Sequence, residues 1–592
     1  MALALALADD PGVPDRNPDT GIVPRRPGPS TPLQYFPPAV DPAQVPAPAP
    51  AAPRELLPVE DRWRIMRALG ARWPWYDPYN PNVLKGDFPI AGEGWFRERF
   101  PQLAQRLSPD WFVSVGVVSD TLAELRQLPT PVGPQTSERP DSVNVYGMGR
   151  QSTLSQTLLV SLALIKGNTT FKPQDYELRL VPAFNFNYGR VEEVRALRVD
   201  PREGRTRRDS HAGLQEAFAD IHLRNVSARY DFDSLRVGIQ PFTADFRGFL
   251  FNDVPIGVRL FGTRDNNQWQ YNLAWLRRLE KDTNSGLNDV TARLRRDDLL
   301  VANVYRQDWP RVGFTSQGVV ALNVNREGRG RFYDANGFLV RPAVQGDSRP
   351  HDYRVAYVGY NGDGHLGRWN LSASFYAALG RDERHPVAQR AQSIRAGFAA
   401  AELSRDFSWV RARLTALFQS GDRDPFDGKA TGFDAVLENP LIAGADTSFW
   451  VRQGIPLVGG GGVALSGRNG VLASLRSSKD QGQSNFVNPG LVLAGVGVDL
   501  DVTPQVRVVG NLSYLQFAST AVLGVLRNES PPSRQIGWDV SAGLQWRPFM
   551  SQNVVLNASA AALLPGRGLR QLFAEGDKGP RYSMLVNLVA TF

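Results

Sequence analysis

Few residues in this chain could do covalent chemistry. It has five histidines, at 211, 222, 351, 365 and 385, and no cysteine. Without cysteine there is no disulfide, no thiolate metal site and no Cys-x-x-Cys-His haem attachment. Asp209-Ser210-His211 holds the residue types of a hydrolytic triad. A triad is a spatial arrangement, however, and adjacent residues cannot supply it. These three also fall in what reads as a charged connection over 191–216. D-R-D-P-F-D-G, from Asp422, has nearly the carboxylate spacing of a calcium loop, with one residue too many and no closing glutamate. It reads first as a solvated acidic loop, with a surface calcium site at 422–427 as the alternative. N-G-D-G-H at 361–365 is a turn sequence. The glycine run at 459–462 lacks the Gly-Lys-Ser/Thr ending that would cradle a phosphate. No catalytic, metal or cofactor residue is assigned, and the expectation is a protein that is not an enzyme.

The remaining chemistry is cationic. Net charge is +8, and 60 arginines stand against 7 lysines. Guanidinium pairs readily with carboxylate and phosphate. The basic residues are spread along the chain among acids, so the dense patch that nucleic acid requires is missing. Their positions become informative once alternation is considered. Arg179, Arg236, Arg411, Arg413, Arg507 and Arg547 share the phase of the polar residues around them. Of the acids placed the same way, there are only Glu177 and Asp539. Facing a wet interior, such arginines would concentrate anions and exclude cations. Alternatively, they pair with loop carboxylates inside a plugged interior. Both readings stay open at this point.

The elements that would position these residues are strands. Between 176 and 188, Tyr176, Leu178, Leu180, Phe184, Phe186 and Tyr188 fall on one face, with Glu177, Arg179, Asn185 and Asn187 on the other. The same period of two runs through 369–379, 536–547 and 553–563. It recurs less cleanly at 268–276, 408–418 and 506–515. In the 536–547 run, the apolar face is Ile536, Trp538, Val540, Ala542, Leu544 and Trp546. Runs of about ten residues suit a tilted strand that crosses a bilayer, whereas strands of a soluble sandwich are usually about five or six residues long. Trp and Tyr at the ends of the apolar faces sit where an aromatic girdle belongs. Mean hydropathy is −0.30 and no run of 18 apolar residues exists, so no transmembrane helix is expected.

The N-terminal part differs in character. Residues 1–8 have the form of a signal-peptide remnant, with A-L-A before Asp9. Residues 9–58 hold 15 prolines and read as a disordered Pro/Ala-rich linker. Over 59–110 a short helix at 59–70 and an aromatic and proline-rich loop at 73–90 are expected, lying in the periplasm or packed in a lumen. From 111 to 592 the alternating region continues, interrupted by a long segment at 421–488, a length that is usually functional.

The chain ends Y-S-M-L-V-N-L-V-A-T-F, with Tyr582, Met584, Val586, Leu588, Ala590 and Phe592 on one apolar face. This resembles the terminal strand signal of bacterial outer-membrane β-barrels, and 111–592 resembles a channel of the porin or alginate-export type. The resemblance implies an all-β fold: a large antiparallel transmembrane barrel of about 18 strands, with 16 to 22 allowed, and a Pro-rich N-terminal extension. It implies residence in the bacterial outer membrane and passage or export of small polar or anionic solutes or polymers. Outer-membrane lipid and the barrel assembly machinery are the implied partners, with Tyr582 and Phe592 as the assembly signal. A periplasmic partner could be met through the extension. The alternative is a barrel that encloses or docks a partner protein, such as a periplasmic electron carrier or a surface lipoprotein.

Overall fold

A computed structural model describes residues 99–106, 111–130, 149–167, 173–229, 231–328, 330–341, 349–455, 479–550, 552–573 and 579–591. The signal-like start, the linker, the expected helix at 59–70, the loop at 73–90 and Phe592 lie outside these residues. A short helix, Pro101–Arg106, precedes the first strand.

Among the described residues, eighteen long strands form one antiparallel sheet. In chain order they are β1 (Trp111–Gln127), β2 (Arg150–Lys166), β3 (Tyr176–Val191), β4 (Thr206–Asn225), β5 (Phe232–Ile239) and β6 (Ile256–Arg264). Then follow β7 (Trp269–Arg277), β8 (Asp297–Arg306), β9 (Phe314–Arg326), β10 (Asp352–Leu366), β11 (Trp369–Asp382) and β12 (Gln392–Phe407). The last six are β13 (Val410–Gln419), β14 (Leu491–Thr503), β15 (Val506–Gln516), β16 (Gln535–Trp546), β17 (Val554–Pro565) and β18 (Arg581–Thr591). Each strand pairs with the next, and β1 pairs with β18 from Val118↔Thr591 to Arg126↔Ser583. That last pairing closes the barrel and leaves no free edge.

The expected alternation is present in the wall. On β18, Tyr582, Met584, Val586 and Leu588 are exposed while Ser583 and Leu585 are buried. On β3, Leu178, Leu180, Phe184 and Phe186 are exposed, and Glu177, Asn185 and Asn187 are buried. Exposed Leu273, Leu300, Phe375, Leu414, Leu512 and Leu544 continue the belt around the barrel. Water would not tolerate an apolar surface of that extent on a monomer; a bilayer requires it. A closed, even-stranded antiparallel barrel with an apolar outside and a polar inside is the outer-membrane architecture, and the protein resides there.

Connections alternate in trend. Even-numbered strands end in connections of two to nine residues, the tightest at 367–368, 408–409 and 504–505, whereas odd-numbered strands end in connections of nine residues or more, such as 192–205, 278–296, 327–351 and 420–490. The short-turn end is periplasmic and the long-loop end external. Three expectations change. Residues 206–216 belong to β4 and not to a loop, so Asp209 and His211 face inward while Ser210 faces out. The stretch 361–365 lies inside β10. Ile536 is fully buried rather than lipid-facing. A register shift opposite Leu515 and Gln516, with Gly537 at φ 138°, turns that residue inward. A Cβ at position 537 would lie 2.0 Å from the Leu564 carbonyl oxygen, so only glycine fits there.

Candidate functional site: a strapped, arginine-lined lumen

The long connection after β13 runs inside the barrel. Its 433–453 stretch crosses the lumen as a strap. At one wall, Tyr357 of β10 donates its hydroxyl to the Asp434 carbonyl at 2.9 Å. Phe433 packs on Phe398 of β12 with ring centres 5.2 Å apart. Along its length the strap pairs with the β5–β6 connection: Asn252 N–H donates to Leu437 O, Asn439 N–H to Gly248 O and Leu441 N–H to Arg247 O. That connection is anchored in turn, because Tyr376 donates to Asp245 at 2.8 Å and Gln317 donates to Ala244 O at 2.7 Å. At the opposite wall, Asp539 of β16 accepts from Ser448 Oγ at 2.6 Å, Trp450 N–H at 2.7 Å and Phe449 N–H at 3.2 Å. It thereby caps the one-turn helix Phe449–Arg452. Beyond the helix, Arg452 meets Glu124 of β1 at 3.2 Å, and Gln453 donates to the same carboxylate at 2.6 Å. The apolar core of the molecule, including Phe249, Leu250, Phe251, Phe433, Leu437, Phe449 and Trp450, is therefore inside the barrel around this strap.

Beside the strap the lumen wall is charged. Antiparallel register sets Glu177, Asp220, Arg236 and Arg259 side by side across β3 to β6. Arg179 lies one inward position along from Glu177 on β3 and is held by Glu177 at 2.6 Å, with Glu216 at 3.8 Å. Arg236 is held by Asp220 at 2.7 Å and stacks on Phe218, 4.2 Å from the ring centre. Arg259 stands directly opposite Arg236, sandwiched near Phe261 at 4.6 Å and Phe242 at 5.5 Å. Its Nε donates to Asn272 at 2.7 Å, and no carboxylate lies within ion-pair distance of it among the described residues. Two cations facing one another across a strand pair are destabilising in isolation. The aromatic faces offset part of that cost.

A second arc lines β12 to β16. Arg411 pairs with Asp406 at 2.5 Å, Arg507 with Asp501 at 2.6 Å, and Arg547 donates to Gln545 at 2.6 Å. Arg413 contacts Asp499 at 2.7 Å, Asn511 at 2.9 Å and Glu402 at 3.6 Å. It lies over Gly497, where a Cβ would come within 2.9 Å of the guanidinium.

Arg179, Arg236, Arg411, Arg413 and Arg507 thus lie on the inward phase of their strands, as do Glu177 and Asp539, while Arg547 follows the last residue of β16 and reaches Gln545. The expectation that inward acids are scarce is corrected. Glu124, Glu216, Asp220, Glu402, Asp499 and Asp501 join them, from strands whose alternation is too weak to phase by eye. Asp539 faces inward but serves the strap rather than the solute path. Arg259 was missed: it lies on β6, where Gly257 and Gly262 blur the period of two. The D-R-D-P-F-D-G carboxylates accept from their own turn amides, Asp424 N–H, Phe426 N–H and Lys429 N–H.

No family model matches the chain, and no curated protein matches it. Among solved structures it is similar to OccK7 (OpdD) of Pseudomonas aeruginosa, at 10% identity and TM-score 0.46, covering 81% of this chain and 98% of that one. It is similar to OccK9 (OpdG) of the same organism at 12% identity and TM-score 0.45, with the same coverage. OccAB1 of Acinetobacter baumannii matches at 8% identity and TM-score 0.45, over 81% of this chain and 96% of that one.

Proposed function

We propose that the barrel is an outer-membrane channel for small anionic solutes, with Arg236 and Arg259 forming the point that an anion meets beside the strap. The observation that carries this reading is Arg259: a lumen-facing guanidinium with an amide partner and no carboxylate in ion-pair distance among the described residues, set against a second cation. Fixed charge within about a Debye length, ~8 Å at physiological salt, sets the local ion balance of a narrow wet path. An entering carboxylate or phosphate would relieve the repulsion between the two guanidiniums and accept from both. The aromatic rings of Phe218, Phe261 and Phe242 hold the guanidinium planes without supplying a competing anion. The strap argues against passage of a polymer and against a sleeve for a partner protein, since the chain's own residues span the space either would need.

Reversal potentials across a planar bilayer under a salt gradient test the proposal. The wild-type protein is expected to prefer anions. Arg236→Gln with Arg259→Gln should reduce that preference while the heat-modifiable folded band persists. A cation-selective wild type, or a folded double variant with unchanged selectivity, would overturn it.

A further inference from the structure

We infer that the outer face of β1–β4 and β15–β18 binds a phosphorylated lipid of the external leaflet, at a site independent of the lumen. Arg150, Arg190 and Arg208 are exposed on three consecutive strands, near the long-loop end. Register gives their direction. Arg190 pairs with Ser152 on one side and Thr206 on the other, and Tyr188 pairs with Leu154 and Arg208. Leu154 and Phe186 are exposed belt residues, while Gln151, Thr153 and Arg207 are buried on the opposite phase. The three arginines therefore share the lipid-facing phase, Arg190 lying one outward position beyond Tyr188 toward the exterior. Each is the diagonal neighbour of the next, about 7–8 Å apart along the backbone. Ser152 and Thr206 place hydroxyls at the level of Arg190.

Arg190 and Arg208 have no carboxylate partner among the described residues, and Arg150 has only Glu192, at 4.0 Å. At the same end Arg277 and Arg326 are neutralised by Asp298 on the outer face of β7–β9. Exposed Arg354 and Arg395 on β10 and β12 also lack an ion pair among the described residues, so it is an adjoining apolar groove that sets the β2–β4 group apart. A group of guanidiniums left open at a membrane boundary matches anionic headgroups.

A second observation fixes the kind of anion. An apolar groove of about 840 Å³ opens on the same outer face, floored by Ala123, Ala542, Ala558 and Ala560 and edged by Leu154 and Tyr188. Ser152, the register partner of Arg190, also lines it. The groove thus reaches from the belt to the arginines. Headgroup phosphate at the guanidiniums and acyl chain along the alanine floor use both halves at once. A free anion would leave the groove unexplained, and an uncharged lipid would leave the arginines so.

Native mass spectrometry of the full-length protein in detergent, titrated with diphosphoryl lipid A, tests this site. Wild type is expected to retain the lipid, and Arg190→Gln with Arg208→Gln to bind it roughly tenfold or more weakly with two charges gone. Dephosphorylated lipid A should bind wild type as weakly as the diphosphoryl form binds the variant. Ala560→Phe, which fills the groove, should weaken both lipids. Anion selectivity of the double arginine variant should equal that of wild type, which separates this site from the lumen. Equal binding of the diphosphoryl lipid to wild type and the folded double variant would overturn the proposal. So would equal binding of the two lipids to wild type, or complete displacement of the lipid by inorganic phosphate at matched phosphate concentration. Should the double variant not fold, Arg190→Gln alone is read by the same criteria.

Discussion

Arg413 and Arg259 show why the same side chain has different value in two places. Arg413 is surrounded by Asp499, Glu402 and Asn511. Removing it leaves Asp499 without its ion-pair partner and Glu402 with Arg247 alone, at 3.6 Å. Replacing Arg411 and Arg413 together by glutamine is therefore expected to shift reversal potentials toward cations, by uncovering Asp406 and Asp499. Removing Arg259 takes away a charge that no carboxylate pairs with directly among the described residues. A histidine pair at the external rim supplies a pH response. His351 Nδ1 lies 2.8 Å from Asp382, and its ring centre is 5.7 Å from that of His385. The backbone of His351 exchanges two hydrogen bonds with Gln483, and His385 Nε2 meets Asn485 at 3.4 Å. The pair thus holds the 483–485 end of the lumen segment. Burial and the neighbouring His351 charge push His385 down to about 4, whereas for His351 burial is outweighed by Asp382 and the value is raised. His385 is depressed, so its neutral form stabilises the fold above its ordinary value, near 6.5, and that stability is lost as pH falls toward about 4. His351 is raised, so its contribution is full below 6.5 and fades as pH climbs through its folded value. Hydrogen exchange over 479–488, taken relative to the intrinsic amide rate at each pH, should therefore accelerate between pH 6.5 and 4. In His385→Asn that acceleration should be much smaller; an identical pH profile would show that His385 is not the group responsible.

At the scale of elements, the strap depends on few attachments. Asp539 alone takes three hydrogen bonds from Ser448, Phe449 and Trp450. Hydrogen bonds to a charged group contribute about 1.5–3 kcal/mol each where the partner would otherwise be unsatisfied. Asp539→Ala is expected to free the helix Phe449–Arg452 from the wall while leaving the eighteen-strand ladder closed. Single-channel records should then show larger and noisier conductance with the heat-modifiable band intact. Unchanged conductance would mean that Glu124, through Arg452 and Gln453, suffices to hold this end of the strap. The bulge at Gly537 belongs to the same scale. It turns Ile536 into the core near the external end of β16, two residues before Trp538 returns to the lipid side.

For the whole molecule, closure between β1 and β18 decides whether a barrel exists. Nine residue pairs join them, and Ser583 donates to Glu124 across the seam at 2.9 Å. The last strand must therefore be delivered in register. The terminal aromatic face, with Tyr582 exposed on β18, is proposed to hand this strand to the assembly machinery. Deleting Phe592 is expected to lower the folded, heat-modifiable fraction in outer membranes, read by cold and boiled electrophoresis. Equal folded yield from the truncated chain would remove Phe592 from that role.

The sequence alone determined the wall. Alternation has a period of two because successive side chains in a strand point to opposite faces, so Leu178, Phe186, Met584 and Arg179 could be assigned to a side before any strand was paired. Ten-residue runs and the aromatic end faces pointed to a bilayer for the same local reason. Only the tertiary structure decided what stands next to what. Register between neighbouring strands brought Arg236 against Arg259 and Glu402 against Arg413, and pairing is invisible to a pattern read along one strand. The strap carries no alternation; its place depends on contacts between residues about a hundred apart, such as Ser448 with Asp539. Ile536 was misplaced because one bulge inverts the phase. The lipid-facing arginines escaped notice because Arg208 was read as a loop residue, until β4 was seen to rise beside β3.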